Sequence, residues 1–191
     1  MAEFGKRDNN AQRAMRHTLF ASLKDAFAYA HVPWDSCYCR DSGDGVLAAV
    51  PAQFPTLWLA DPLIRNLRRA VHRHNKLYRE SARIQLRAAL HAGQVQSDDN
   101  GLSGQSVIHL FRLLQSATLK HALTISNADL ALLASDYVYQ EILQHEDDDA
   151  AYESVNIQLK ETTTRAWLRI FGPAVIPNEA ISGRKSRPSV N

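Results

Sequence analysis

From Asn9 to Ala30 the apolar residues Met15, Leu19, Leu23, Ala26, Phe27 and Ala30 return every three or four positions. That is the spacing of one helical face, and Pro33 follows it. The period then changes. WDSCYCRDSGDGVLAAVP reads as strand, tight turn, strand, with Gly43 and Gly45 supplying the permissive backbone of the turn and Pro51 closing the second strand. A long helix is predicted over 57–80, with Leu63, Leu67, Val71, His74 and Tyr78 inward. Arg65, Arg68, Arg69, His72, Arg73 and Lys76 crowd its other faces and read as a solvated basic surface.

RIQLRAALHAGQV alternates, placing Ile84, Leu86, Ala88 and Leu90 on one side of a strand. QSDDNGLSGQ reads as a turn-rich loop. GQSVIHLFRLLQS reads as a helix with Val107, Leu110, Phe111 and Leu114 on one side. ADLALLAS reads as a buried strand, DYVYQEILQH as a short helix and EDDDAAYE as a solvated acidic loop. SVNIQLKETTTRAWLRI reads as two short strands around a Thr-rich turn. The order helix, hairpin, helix, strand, helix, strand, helix, hairpin predicts an α+β fold. Its sheet is ferredoxin-like, mixed or antiparallel, with helices mainly on one face. One domain covers 1–172, and the polar, Pro/Gly/Ser-rich stretch 173–191 is expected to be a disordered tail. Such a sheet wants a strand before the first helix, and only MAEFG is available for it.

Composition narrows the function. The 191 residues suit one domain, and a net charge of +2 gives no case for nucleic acid or an acidic membrane surface. No apolar run approaches the ~18 residues of a membrane span, and the N-terminus lacks the apolar core of a signal peptide. A soluble cytoplasmic protein is expected. Cys37 and Cys39 in CYC are too few for a disulfide framework or a four-ligand zinc site, and read as two reduced thiols on one strand. No P-loop, dinucleotide-binding fingerprint or Ser/His/Asp arrangement is present.

FGKRD, RDSGDGVLAAVP, RIQLRAALHAGQV, GQSVIHLFRLL, ADLALLASDYVY and LKETTTRAWL, taken in order from Phe4 to Ile170, resemble the catalytic domain of class III nucleotidyl cyclases. The nearer likeness is to a compact, stand-alone actinobacterial branch. The resemblance implies a homodimer that joins the ribose 3′-oxygen of a nucleoside triphosphate to its α-phosphate and expels pyrophosphate. Two Mg²⁺ or Mn²⁺ ions held by carboxylates would activate the attacking oxygen and neutralise the phosphates. Asp44 maps onto one metal aspartate, and the other falls one position before Met1, with Glu3 at a position usually glycine. Arg112 maps onto the arginine that stabilises the transferring phosphate. Ile108, four residues earlier and so on the same helix face, replaces the ribose-orienting asparagine. Lys160 maps onto the triphosphate-binding lysine. Arg40 and Gly101 map onto the two base-reading positions, in neither case with the purine-cyclase residue. His91 falls where the family carries a structural histidine.

With one metal aspartate and the asparagine absent, the resemblance implies an impaired cyclase. The alternative is a non-catalytic descendant, a nucleotide-binding or interaction module in signalling. RNA binding by a ferredoxin-like sheet is disfavoured, because the chain lacks the aromatic sheet-face motif that stacks bases.

Overall fold

The structure is a computed structural model that describes residues 1–78, 82–146, 151–159 and 162–172. The expected tail, the middle of the acidic loop (147–150) and Lys160 lie outside the described residues. Helix α1, Asn9–Tyr29, opens where the Asp8 carboxylate accepts from the backbone N–H groups of Asn10 and Ala11, each at 2.9 Å. It buries Met15, Leu19, Ala26 and Phe27. The hairpin follows as strands β1, Tyr38–Asp41, and β2, Val46–Ala49.

The long helix is not continuous. A short turn α2, Thr56–Trp58, passes through a π-turn at Leu59–Leu63 into α3, Ile64–Leu77. Pro62 stands inside the π-turn. It has no N–H for the i→i−4 ladder, so the regular helix opens there. Tyr78 departs from the expected inner face: it is exposed and stacks on His74, the last buried residue of α3.

Strand β3, Leu86–Leu90, leads into the stretch whose composition predicts a turn-rich loop. Residues Gln96–Asp98 and Gly101–Ser103 form a second hairpin, β4–β5. The Asp98 carboxylate accepts from the N–H groups of Asn100 and Gly101, which closes the turn. Helix α4, Gln105–Gln115, is followed by an unanticipated helix α5, Ala117–Ser126, which Ser116 caps. Strand β6, Leu130–Ser135, then α6, Asp136–Glu141, precede the long final pair β7, Glu153–Leu159, and β8, Thr162–Phe171.

The main sheet is mixed, in the order β3-β6-β8-β7, with β3 parallel to β6 and the other pairs antiparallel. The expectation of helices mainly on one face is corrected. All six residues of β6 are buried, and the first five alternate between two cores. Leu130, Leu132 and Ala134 pack with Met15, Leu19, Leu67 and Val71 of α1 and α3. Ala131 and Leu133 pack with Leu113, Leu119 and Leu123 of α4 and α5. A strand apolar at every position must be covered on both faces, and α5 supplies part of the second cover.

Among the described residues the β1–β2 hairpin is not paired to this sheet. Between β2 and β3 lies an apolar cavity of about 390 Å³, lined by residues of both strands and of α1, α3 and α4. Met1 and Asp44, which touch each other, are among its lining residues.

Candidate functional site

The turn of the first hairpin is built by its own side chains. Gly43 takes φ +88, and the Ser42 N–H donates to the Gly45 carbonyl at 3.0 Å. The Asp41 carboxylate accepts from the Gly43 N–H at 2.7 Å and from the Arg16 guanidinium of α1, which also donates to the Gly43 carbonyl. Arg16 above all, and then Gly43, holds the Asp41 carboxyl down at about 2. The turn is thereby fastened to α1 and presents Asp44 at its tip. The Asp44 side chain is half exposed, and its carboxylate lies 3.7 Å from the Met1 amino group, which donates to the Asp44 backbone carbonyl.

The carboxylates that precede Asp44 in the chain at Glu3 and Asp41 are engaged by basic side chains. Asp41 is taken by Arg16, and Glu3 is paired with Lys6 at 2.6 Å. Among the described residues no three His, Cys, Asp or Glu side chains gather into a group that could hold a metal.

Arg40 is placed differently. It projects from β1 to the tip of the second hairpin, where it donates to the Asn100 carbonyl at 2.9 Å. Gly101 follows at φ +125, and a Cβ there would come within 2.7 Å of the Tyr38 hydroxyl and 2.9 Å of the Arg40 guanidinium. Only glycine leaves room for this approach and tolerates that backbone. The two positions that the resemblance assigns to base reading, far apart in the chain, therefore meet. One of the guanidinium's nitrogens is bound to Asn100, and Arg40 remains exposed.

Arg112 lies half-buried on α4 and makes no hydrogen bond or ion pair among the described residues. Ile108, one turn before it, is exposed, as is Phe111. The neighbour of Arg112 is a histidine pair that sequence reasoning missed. His91, just after β3, and His109 on α4 bring their ring centres to 4.7 Å, and the His91 Nδ1 lies 2.9 Å from the Ser135 hydroxyl. Burial, then the facing ring, pushes the His91 pKa down; burial, then Arg112, does the same for His109. The His91 contact with Ser135 agrees with the structural role expected of it.

A second unanticipated group is structural. Asp129 is buried and lies 2.6 Å from the His72 Nδ1 while accepting from the Asn75 side chain at 2.8 Å. Asn75 also bonds both the N–H and the carbonyl of Ile84, so the group ties α3 to the starts of β3 and β6. The alternation of Ile84 and Leu86 placed β3, but nothing in the spacing of polar residues signalled this link. Cys37 and Cys39 are free. Burial above all pushes the Cys39 thiol up to about 11, so it is a poor nucleophile. No helix of the described residues is long and apolar enough to cross a membrane.

Comparison with models of protein families, with curated proteins and with solved structures returns no match for this chain.

Proposed function

We propose that this chain is a cyclase-like nucleotide-binding module that receives a nucleoside triphosphate without cyclising it. The observation that carries the reading is the meeting of Arg40 with Asn100 and Gly101. Two positions singled out by resemblance alone lie against each other across two separate hairpins. An arginine anchored through one nitrogen keeps donors for a base edge or a phosphate. Arg112, without a protein partner among the described residues, offers a second cation for the phosphates.

The catalytic half of the reading is weaker in this chain. Ile108 can make no hydrogen bond to a ribose, and Asp44 is a lone carboxylate beside an amino group. Any divalent cation would arrive on the triphosphate rather than be held by a protein cage. The exposed Ile108 and Phe111 beside Arg112 suit contact with a second copy, which would bring Arg112 to the partner's nucleotide.

Equilibrium dialysis with each of the four nucleoside triphosphates and Mg²⁺ or Mn²⁺, followed by chromatography of the products, tests both halves. Retention of at least one nucleotide with no cyclic product is expected. No retention of any nucleotide contradicts the binding half. Accumulation of a cyclic nucleotide contradicts the other half and makes the chain a working cyclase.

A further inference from the structure

The outer face of α3 carries charge that the nucleotide reading does not use. A net charge of +2 for the chain conceals a local excess there, and the distribution of charge matters more than its sum. At about 100° per residue, Arg65, Arg69, His72 and Lys76 fall within about 60° of one another around the helix, with Arg68 and Arg73 on either flank. Ile64, Leu67, Val71 and His74 face the other way and are buried. Two of the outer groups have carboxylate partners: Arg65 pairs with Asp61, and His72 Nδ1 lies 2.6 Å from Asp129. Arg68, Arg69, Arg73 and Lys76 make no hydrogen bond or ion pair among the described residues. The Nε of Arg68 is buried without a hydrogen-bond partner, and Arg69, Arg73 and Lys76 are exposed. Like charges three and four residues apart weaken a helix. A row of anions laid along this face would remove that repulsion.

Spacing and chemistry define that row. Successive groups of the stripe advance along the helix axis in steps of about 4.5–6 Å, so they form a track rather than a pocket. Three of its four unpartnered cations are arginines, whose guanidinium forks match phosphate oxygens. The track ends at an aromatic ring. Tyr78 lays one face on His74, with ring centres 4.3 Å apart and planes at 19°, yet the residue stays 57% exposed. Its other face is open to solvent. A basic track that ends in an aromatic platform is the means by which proteins hold single-stranded nucleic acid. An anionic membrane fits less well, because an interfacial helix buries its apolar face in lipid, and that face of α3 is packed in the core. An acidic peptide would supply charge but no base to stack on Tyr78.

We propose that the outer face of α3 binds a single-stranded nucleic acid. Backbone phosphates accept from Arg68, Arg69, Arg73 and Lys76, and one base stacks on the open face of Tyr78. The track from Arg65 to Tyr78 is about 20 Å long, enough for a few nucleotides. Phosphates and a base face are common to RNA and DNA, so the recognition is of the strand and not of its sequence. Arg40 and Arg112, the groups proposed to receive a nucleoside triphosphate, lie on other elements. The two readings therefore stand or fall separately.

The test titrates the intact chain, by fluorescence anisotropy over a series of salt concentrations, into labelled oligouridine and oligothymidine of about twelve nucleotides. Binding of either strand is expected, and the pair tells RNA from DNA. The logarithm of the affinity should fall against that of the salt concentration with a slope of about −3, the value for four phosphates neutralised on a single strand. Arg69→Gln combined with Arg73→Gln should reduce the slope to about −1.4. Tyr78→Ala should weaken binding about fivefold or more and leave the slope unchanged, because a stacked base is lost and no charge is. Phosphatidylserine vesicles and polyglutamate should bind more weakly than the strand. Amide shifts of the ¹⁵N-labelled parent chain on adding the strand should concentrate at residues 65–78, and they decide the matter should either variant fail to fold. No binding of either strand at low salt overturns the proposal. So does a slope unchanged in the double variant, full binding by Tyr78→Ala, or vesicles or polyglutamate binding as tightly as the strand. Shifts concentrated instead at Arg40, Asn100 and Gly101 would place the strand at the other site and overturn it as well.

Discussion

At the scale of single residues, the hairpin turn that presents Asp44 rests on Asp41. Its carboxyl is held at about 2 against an ordinary 3.8, so the unfolded chain takes up this proton more readily. The stability it contributes is complete above pH 3.8 and is lost as pH falls through 2. Both side chains are more than a third exposed, at 35% and 41%, so added salt should weaken the effect. Thermal unfolding of Arg16→Met against the parent should show a shallower loss of stability between pH 4 and 2. Parallel curves would contradict this origin. Gly101 makes the other residue-scale case. Gly101→Ala must strain a left-handed backbone and displace Tyr38 or Arg40, costing roughly 1–3 kcal/mol of stability. Denaturant unfolding measures that cost.

At the scale of elements, the histidine pair joins the end of β3 to α4. Each pKa is lowered from 6.5, so in this region the folded state keeps the rings neutral and the unfolded chain binds more protons. Their contribution to stability is present above pH 6.5 and declines as pH falls below it. Melting temperature should drop between pH 7 and 5, and His109→Gln should flatten that drop; an unchanged slope would assign it elsewhere. Asn75→Ala removes the link among α3, β3 and β6 and leaves Asp129 short of a donor. A loss of about 1–3 kcal/mol is expected on denaturant unfolding.

Much of this level was legible in the sequence. Met15, Leu19, Ala26 and Phe27 marked α1, GDG marked the hairpin, and LALLAS marked β6. That run held more than was read from it, since a strand apolar throughout already demands helices on both faces. Helix α5 was overlooked because half of its buried face is Ala122 and Ser126 rather than large apolar residues. The β4–β5 hairpin was overlooked because Gln96–Asp98 are exposed and polar, so burial imposes no alternation on them. At the candidate site, local spacing marked Asp44 through its turn. The meeting of Arg40 with Gly101 depends on how two hairpins pack, which no local period encodes.

At the scale of the whole molecule, the β1–β2 hairpin is unpaired with the main sheet among the described residues and carries both Asp44 and Arg40. The apolar surface of α4 beside Arg112 is the face proposed for a second copy. Sedimentation equilibrium should therefore show a dimer that Ile108→Asp weakens about tenfold or more, because a charge would be desolvated in the contact. A parent chain that remains monomeric at high concentration contradicts that assembly. The central claim is that Arg40 serves a nucleotide. Isothermal titration of the parent and of Arg40→Ala with each nucleoside triphosphate tests it most directly. The account predicts that the parent binds at least one nucleotide and that Arg40→Ala, still folded, binds it about tenfold or more weakly. Equal affinity of the two proteins, or no binding by the parent, would contradict it.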